Sequence, residues 1–231
     1  FASATYNFVD TLIQHNLVVF HNGEDGFKVL PKLVDSLPEA RFNLSLLYMK
    51  QNNCPEAYNL IQNFQPMDIS EIVLRGIILL AFGQLNGDTS MISEANSIFA
   101  EIGSMDVVKD TVPGRQCLAT TKFVGGEYQE ALRIFATIEQ LDDSDEFKYN
   151  KAMALASLQR WAEAEQYFLQ VQNEYYTKEI FYVSWLCRCY IKNKKPENAW
   201  NLYSEATQTE DAKTLLQIIA NDCFNEKFYY Y

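Results

Sequence analysis

The residues of this 231-residue chain that could do chemistry are two histidines, five cysteines and two charge clusters. His15 and His21 flank a predicted helix end. A zinc site built on them needs further Cys, His or acidic ligands at suitable spacing, and none is near in sequence. Cys54, Cys117, Cys187, Cys189 and Cys223 are irregularly spaced and include no Cys-x-x-Cys pair. That pattern fits reduced thiols serving as small buried apolar residues in a reducing compartment. No Gly-x-x-x-x-Gly-Lys-Ser/Thr word cradles a phosphate, and Gly23-Glu-Asp-Gly26 reads as a turn between helices, with two acids between its glycines. Asn43-Leu-Ser45 matches the glycosylation tripeptide but lies mid-helix, so it is read as structural. No paired acids or nucleophile–base set appears. The chain is therefore predicted to be no enzyme, with no cofactor and no metal.

Two charge clusters remain. Asp142-Asp-Ser-Asp-Glu146 reads as a solvated loop that starts a helix, where Asp and Ser suit the N-terminal end; the alternative is a contact for a basic partner segment. Arg188, Lys192, Lys194 and Lys195 form the compact basic cluster of an acidic chain. Solvated charge near a helix C-terminus is one account of them. The other is a site for an acidic partner, because charge against the overall sign gives specificity. On that account, glutamate at Arg188 and Lys192 weakens partner binding and leaves helicity intact.

The net charge of −11 argues against general nucleic-acid binding and against docking on anionic membranes. Apolar residues make up 48% and charged residues 21%, as in globular proteins, and nine glycines with six prolines suit helices better than a turn-rich β fold. The longest apolar run, Ile77 to Phe82, is too short to span a bilayer. The chain begins at Phe1 without a signal peptide, and its last apolar stretch, Phe228 to Tyr231, resembles the opening of an unfinished helix after one that begins near Leu215. It is expected to be a fragment of a longer array.

The elements that must carry these residues repeat. From Phe181 to Ala206 a first amphipathic helix carries Leu186, Cys187 and Tyr190 on one side. A polar turn at Asn193 to Lys195 follows, Pro196 opens a second helix, and Ala199 and Tyr203 share a face of it. The same grammar recurs as Leu44-Ser45-x-x-Tyr48 with Ala57 and Ile61, Gly76 and Leu79 with Ala95 and Phe99, Leu118-Ala119 with Ala131 and Phe135, and Ala152 and Leu155 with Ala164 and Phe168. The framing alanines Ala57, Ala95, Ala131, Ala164 and Ala199 recur about every 35 residues, the period of the tetratricopeptide repeat. Small residues are required there because the paired helices cross closely. The predicted fold is all-α, a right-handed superhelical solenoid of about six antiparallel helix pairs. Repeat units fall near 4–37, 38–68, 69–110, 111–144, 145–179 and 180–212, with a partial unit at 213–231. Extra residues around Gln84 to Met91 are expected to form a longer loop, and Pro31 to kink or shorten its helix. Tyr149, Met153, Phe181 and Arg188 lie on first helices, off the packing positions, and are candidate groove residues together with Lys192, Lys194 and Lys195. Trp185 and Trp200 are expected to pack between helices.

Several words exceed what a helical hairpin requires: His15-Asn-Leu-Val-Val-Phe20, Pro113-Gly-Arg-Gln-Cys117, Ser184-Trp-Leu-Cys-Arg-Cys-Tyr-Ile191, Asn193-Lys-Lys-Pro196 and Ile219-Ala-Asn-Asp-Cys223. In these words, from about His15 to Cys223, the chain resembles the tetratricopeptide-repeat subunit of intraflagellar transport complex B, the family also called tetratricopeptide repeat protein twenty-six. The stretches around Asp88 to Asp110 and Ala136 to Glu146 diverge from it.

The resemblance implies a non-catalytic scaffold at the cilium or flagellum and its base. It implies binding to other subunits of complex B, notably subunit forty-six, and support for entry of motility-related cargo, without nucleic acid or direct membrane insertion. The rival is a generic peptide-binding tetratricopeptide adaptor or co-chaperone, whose carboxylate clamp of Lys, Asn and Arg is poorly matched on residues 40–50 and 148–158. A helical enzyme ranks third.

Overall fold

The computed structural model describes residues 2–140, 143–206 and 212–230, all as helices, turns and connecting segments. Asp142 of the acidic run and Tyr231 lie outside the described residues. The chain divides into two compact units, Phe1–Met105 and Asp106–Tyr231.

In the first unit α1 (Ala2–Phe20) leads through the Gly23–Gly26 turn into a short α2 (Gly26–Val29). Pro31 shortens that helix as expected: the backbone tightens into a 3-10 turn at Leu30–Lys32. Helix pairs follow, α3 (Pro38–Lys50) with α4 (Cys54–Ile61) and α5 (Ile69–Asn86) with α6 (Thr89–Ser104). Val18, Leu30, Leu33, Leu37, Ala40 and Leu44 form one core, and Ala57, Ile61, Leu74 and Ile78 another. His15 is buried, and its Nε2 lies 2.8 Å from the Asn43 side-chain nitrogen. Asn43 of the glycosylation tripeptide is thus engaged in packing α1 to α3.

The long loop expected near Gly87 is instead a tight turn. The extra residues lengthen the helices, to 18 residues in α5 and 16 in α6. Gly87 closes α5 in the left-handed region at φ 67°, where glycine carries no steric penalty. Asp88 then opens α6 by accepting from the Ser90 and Met91 amides. Asp68 and Glu71 cap α5 reciprocally, Asp68 accepting from the Glu71 amide and Glu71 from that of Met67.

A second correction concerns α5. Among the described residues it is the one helix long and apolar enough to cross a membrane by length and composition, although its longest uninterrupted apolar run is short. Arg75, Gly76 and Gly83 break the run, yet the 18 residues together stay strongly apolar. Here the helix buries Leu74, Gly76, Ile78, Leu79 and Gly83 within its unit.

The second unit pairs α7 (Val112–Val124) with α8 (Tyr128–Ala136) and α9 (Asp145–Ser157) with α10 (Trp161–Phe168). A single turn, α11 (Glu174–Thr177), precedes α12 (Ile180–Lys192), which packs on α13 (Pro196–Ala206) and on α14 (Ala212–Asn225). The framing alanines Ala57, Ala95, Ala131, Ala164 and Ala199 are all fully buried, as are Ser45, Ala119, Ala152 and Cys187 opposite them. At Gly76 a Cβ would stand 2.8 Å from the Phe99 ring, which shows how closely α5 and α6 cross. After α14, residues 226–230 form a turn rather than the start of a helix, with Lys194 over the Phe228 ring. The amides of Lys227 and Phe228 close α14 by donating to the Phe224 and Cys223 carbonyls, and Tyr229 lies edge-on to Phe224.

Candidate functional site

α12 positions the candidate residues. Its N-cap, Glu179, has an extended backbone and no side-chain capping bond, and burial pushes its carboxyl above the usual range. The apolar side of α12 buries Tyr182, Val183, Leu186, Cys187, Cys189, Tyr190 and Ile191. Burial pushes the thiols of Cys187 and Cys189 up to about 12, so both stay protonated at neutral pH. All five cysteines are free and buried.

The opposite side of α12 carries Phe181, Ser184, Trp185 and Arg188. These follow the i, i+3, i+4, i+7 spacing of one helix face. With Ile180, and with Thr214 and Ile218 of α14, they line a cleft of about 310 Å³. Phe181 is 59% exposed. Trp185 is partly buried against the core, and the Arg188 guanidinium sits 5.0 Å over its ring. Arg188 Nε donates to Asp222 Oδ2 of α14 at 2.9 Å. Of the candidates named from sequence, Phe181 and Arg188 meet at this cleft. Ile180, Ser184, Thr214 and Ile218 were missed, although the spacing along α12 was there to find Ser184.

The other candidates sit elsewhere. Tyr149 is packed, stacked on Tyr176 and Tyr182 and edge-on to Phe168. Burial, with Glu179 adding to it, raises its phenol well above the usual range. Met153 is partly buried against the same core. Trp200, expected between helices, is exposed and tilted against Tyr203.

The basic cluster is occupied from within. Lys192 and Lys194 both donate to Glu226, and Lys195 donates to the buried Glu165 at 2.6 Å, beside Asn193, which donates to the other Glu165 oxygen at 2.6 Å. Lys194 adopts φ 64° at the turn. The Asn193-Lys-Lys-Pro196 word therefore ties α10, α12 and the end of α14 together. Glutamate at Arg188 and Lys192 would face Asp222 and Glu226, so that exchange loosens α14 and does not leave the fold untouched.

The two lysines hold the Glu226 carboxyl down at about 2, from an ordinary 4.5. A depressed folded-state pKa stabilises above the unfolded value and is lost as pH falls through the folded one. The stability difference between the parent and Glu226→Gln is thus expected to be full above about pH 4.5 and to shrink steadily toward pH 2. Urea titrations at a series of pH values measure it, and a difference independent of pH counts against the pairing.

The acidic run also does more than solvate a loop. Ser144 caps α9 by accepting from the Phe147 amide. Asp145 accepts from the amides of Gln172 and Asn173, and Glu146 from the Tyr176 hydroxyl. Both acids anchor the connection into α11 and α12.

Buried small residues at helix crossings, repeated helix pairs and a cleft lined by side chains of two neighbouring helices define a tetratricopeptide-like repeat protein, a class that works by presenting surfaces. The chain belongs to the intraflagellar transport protein 56 family, whose model matches residues 1–231. It is 33% identical over 227 residues to the intraflagellar transport protein 56 homolog of Caenorhabditis elegans, a match covering 98% of this chain and 39% of that protein. The chain thus spans about two fifths of the length of that curated relative. Among solved structures, MamA MSR-1 C2 is similar with a TM-score of 0.44 and 15% identity, covering 73% of this chain and 93% of that one. The MamA RS-1 ArsTM double mutant gives a TM-score of 0.44 and 12% identity, covering 76% and 95%. Likeness at that level carries no argument about function.

Proposed function

We propose that this chain is a non-catalytic scaffold segment of intraflagellar transport complex B. It binds another subunit of the complex, the one numbered forty-six, and supports transport of motility-related cargo into cilia and flagella. It acts at the cilium and its base, without inserting into a membrane. The observation that carries this is the family match along all 231 residues. The helix pairs and the open cleft on α12 support a binding role.

The co-chaperone alternative needs unengaged cations on successive first helices. Lys151 on α9 is instead committed to Glu139 and Tyr167.

Co-purification of the chain with subunit forty-six, followed by calorimetry, tests the proposal. A one-to-one complex is expected. A folded chain that forms no complex moves that contact outside these 231 residues.

A further inference from the structure

We propose that the cleft between α12 and α14 takes a short segment of a partner protein carrying an aromatic or large aliphatic side chain and a carboxylate about 10 Å apart. That spacing is the rise along α12 from Phe181 to Arg188 at about 1.5 Å per residue. The inference names the kind of segment recognised and rests on the binding role proposed above.

Three observations carry it. First, the cleft is mostly apolar and holds about 310 Å³, near the lower end of the ~300–1,000 Å³ range of ligand pockets. It seats side chains, with exposed Phe181 at one end and Trp185 in its wall. Second, Arg188 is the one charged side chain among those lining it. A guanidinium has five N–H donors in a planar fork that matches a carboxylate. Here Nε is taken by Asp222 and one face lies against Trp185. The two terminal nitrogens make no hydrogen bond among the described residues, so four donors remain at a mostly apolar cleft whose other polar side-chain groups are the hydroxyls of Ser184 and Thr214. Third, the other three cations of the cluster are ion-paired within the fold, Lys192 and Lys194 sharing Glu226 and Lys195 on Glu165, on a chain of net charge −11. An acidic segment is repelled by most of this surface and finds a carboxylate receptor at Arg188, which is how charge sets register and specificity. Arg and Trp are also the residue types that dominate binding energy at the centres of interfaces.

The test is a random 16-residue peptide library displayed on phage and panned against the 231-residue chain, with affinities of the selected peptides measured by fluorescence anisotropy. The expected result is a consensus that pairs an acidic residue with an aromatic or large aliphatic one. Binding is expected to fall about tenfold or more in Phe181→Ala and in Arg188→Lys. The lysine keeps the charge and a donor for Asp222 but loses the fork. Phe181 is exposed, so its removal tests the cleft even where Arg188→Lys disturbs α14. Panning that yields no binder, a consensus without an acid, or affinities unchanged in both variants overturns the proposal. So does a dimer in sedimentation that Phe181→Ala makes monomeric, which would put a second copy in the cleft. Panning involves no complex B subunit. Failure with subunit forty-six alongside a selected acidic consensus therefore sinks the named partner and keeps the cleft, and the converse keeps the partner and moves its contact.

Discussion

Phe168→Ala is expected to lower the stability of the chain by about 3–5 kcal/mol, as for other buried phenylalanines cut to alanine. Phe168 ends α10 with its ring fully buried. It meets Tyr182 edge-on at 5.5 Å and Tyr149 at 6.0 Å between ring centroids. Its carbonyl accepts the Tyr182 hydroxyl at 2.7 Å. The cavity left by the ring cannot easily collapse. Tyr149 is already stacked between Tyr176 and Tyr182, and Tyr182 is held by its hydroxyl. Urea denaturation followed by circular dichroism gives the difference directly. A loss under about 1 kcal/mol would mean that the tyrosines refill the space and that the cluster is looser than its geometry implies. Tyr182→Phe separates the two contributions, because it removes the hydrogen bond and keeps the ring. It is expected to cost about 1 kcal/mol.

Gly114→Ala should be the second most damaging change, although alanine is ordinarily favoured over glycine inside a helix by about 1 kcal/mol. Gly114 lies in the first turn of α7, where its amide donates to Thr111 Oγ1. A Cβ there would stand 2.0 Å from the Val108 carbonyl oxygen and 2.7 Å from its carbon. These are backbone atoms, and they are not free to yield. The same oxygen accepts from the Thr111 amide at 2.9 Å and from the Thr111 hydroxyl at 2.7 Å. Either the 108–111 turn or the start of α7 must shift. The expected loss is about 2–4 kcal/mol, in the range of overpacking against an unyielding neighbour. Gly125→Ala makes the comparison. It has φ −73°, and its Cβ would meet nothing closer than 3.4 Å. It should change stability by no more than about 0.5 kcal/mol. Equal effects at the two sites would contradict the packing at Val108.

The two substitutions mark the boundary between what the sequence settled and what it did not. The helix pairs were legible because their cause is local. The 3.6-residue period puts Leu186, Cys187 and Tyr190 on one side of α12, and a small residue facing an alanine is what any close helix crossing demands. The five framing alanines, the cap-and-turn residues and the effect of Pro31 all follow from chemistry within one repeat. That the chain belongs to an intraflagellar transport family was legible too, from words such as Pro113-Gly-Arg-Gln-Cys117 and Asn193-Lys-Lys-Pro196, but the reasons for those words were not.

Those reasons are tertiary. Gly114 is needed because the backbone at Val108 lies against it, a contact that no period or propensity encodes. Lys192, Lys194 and Lys195 read as a free basic patch because their partners, Glu226 and Glu165, lie about 30 positions away in sequence. Asp145 and Glu146 read as solvated for the same reason, with their donors at Gln172, Asn173 and Tyr176. The insertion near Gly87 could have lengthened a loop or two helices, and the close approach of α5 and α6 decided for the helices. The sequence by itself determined the repeat and its period, because each depends on neighbours along one helix or one hairpin. Only the tertiary structure decided which charges are paired inside the fold, and that Arg188, bound to Asp222 through Nε alone, still faces a cleft with donors to offer, because ion pairing between helices depends on distances that the linear order does not contain.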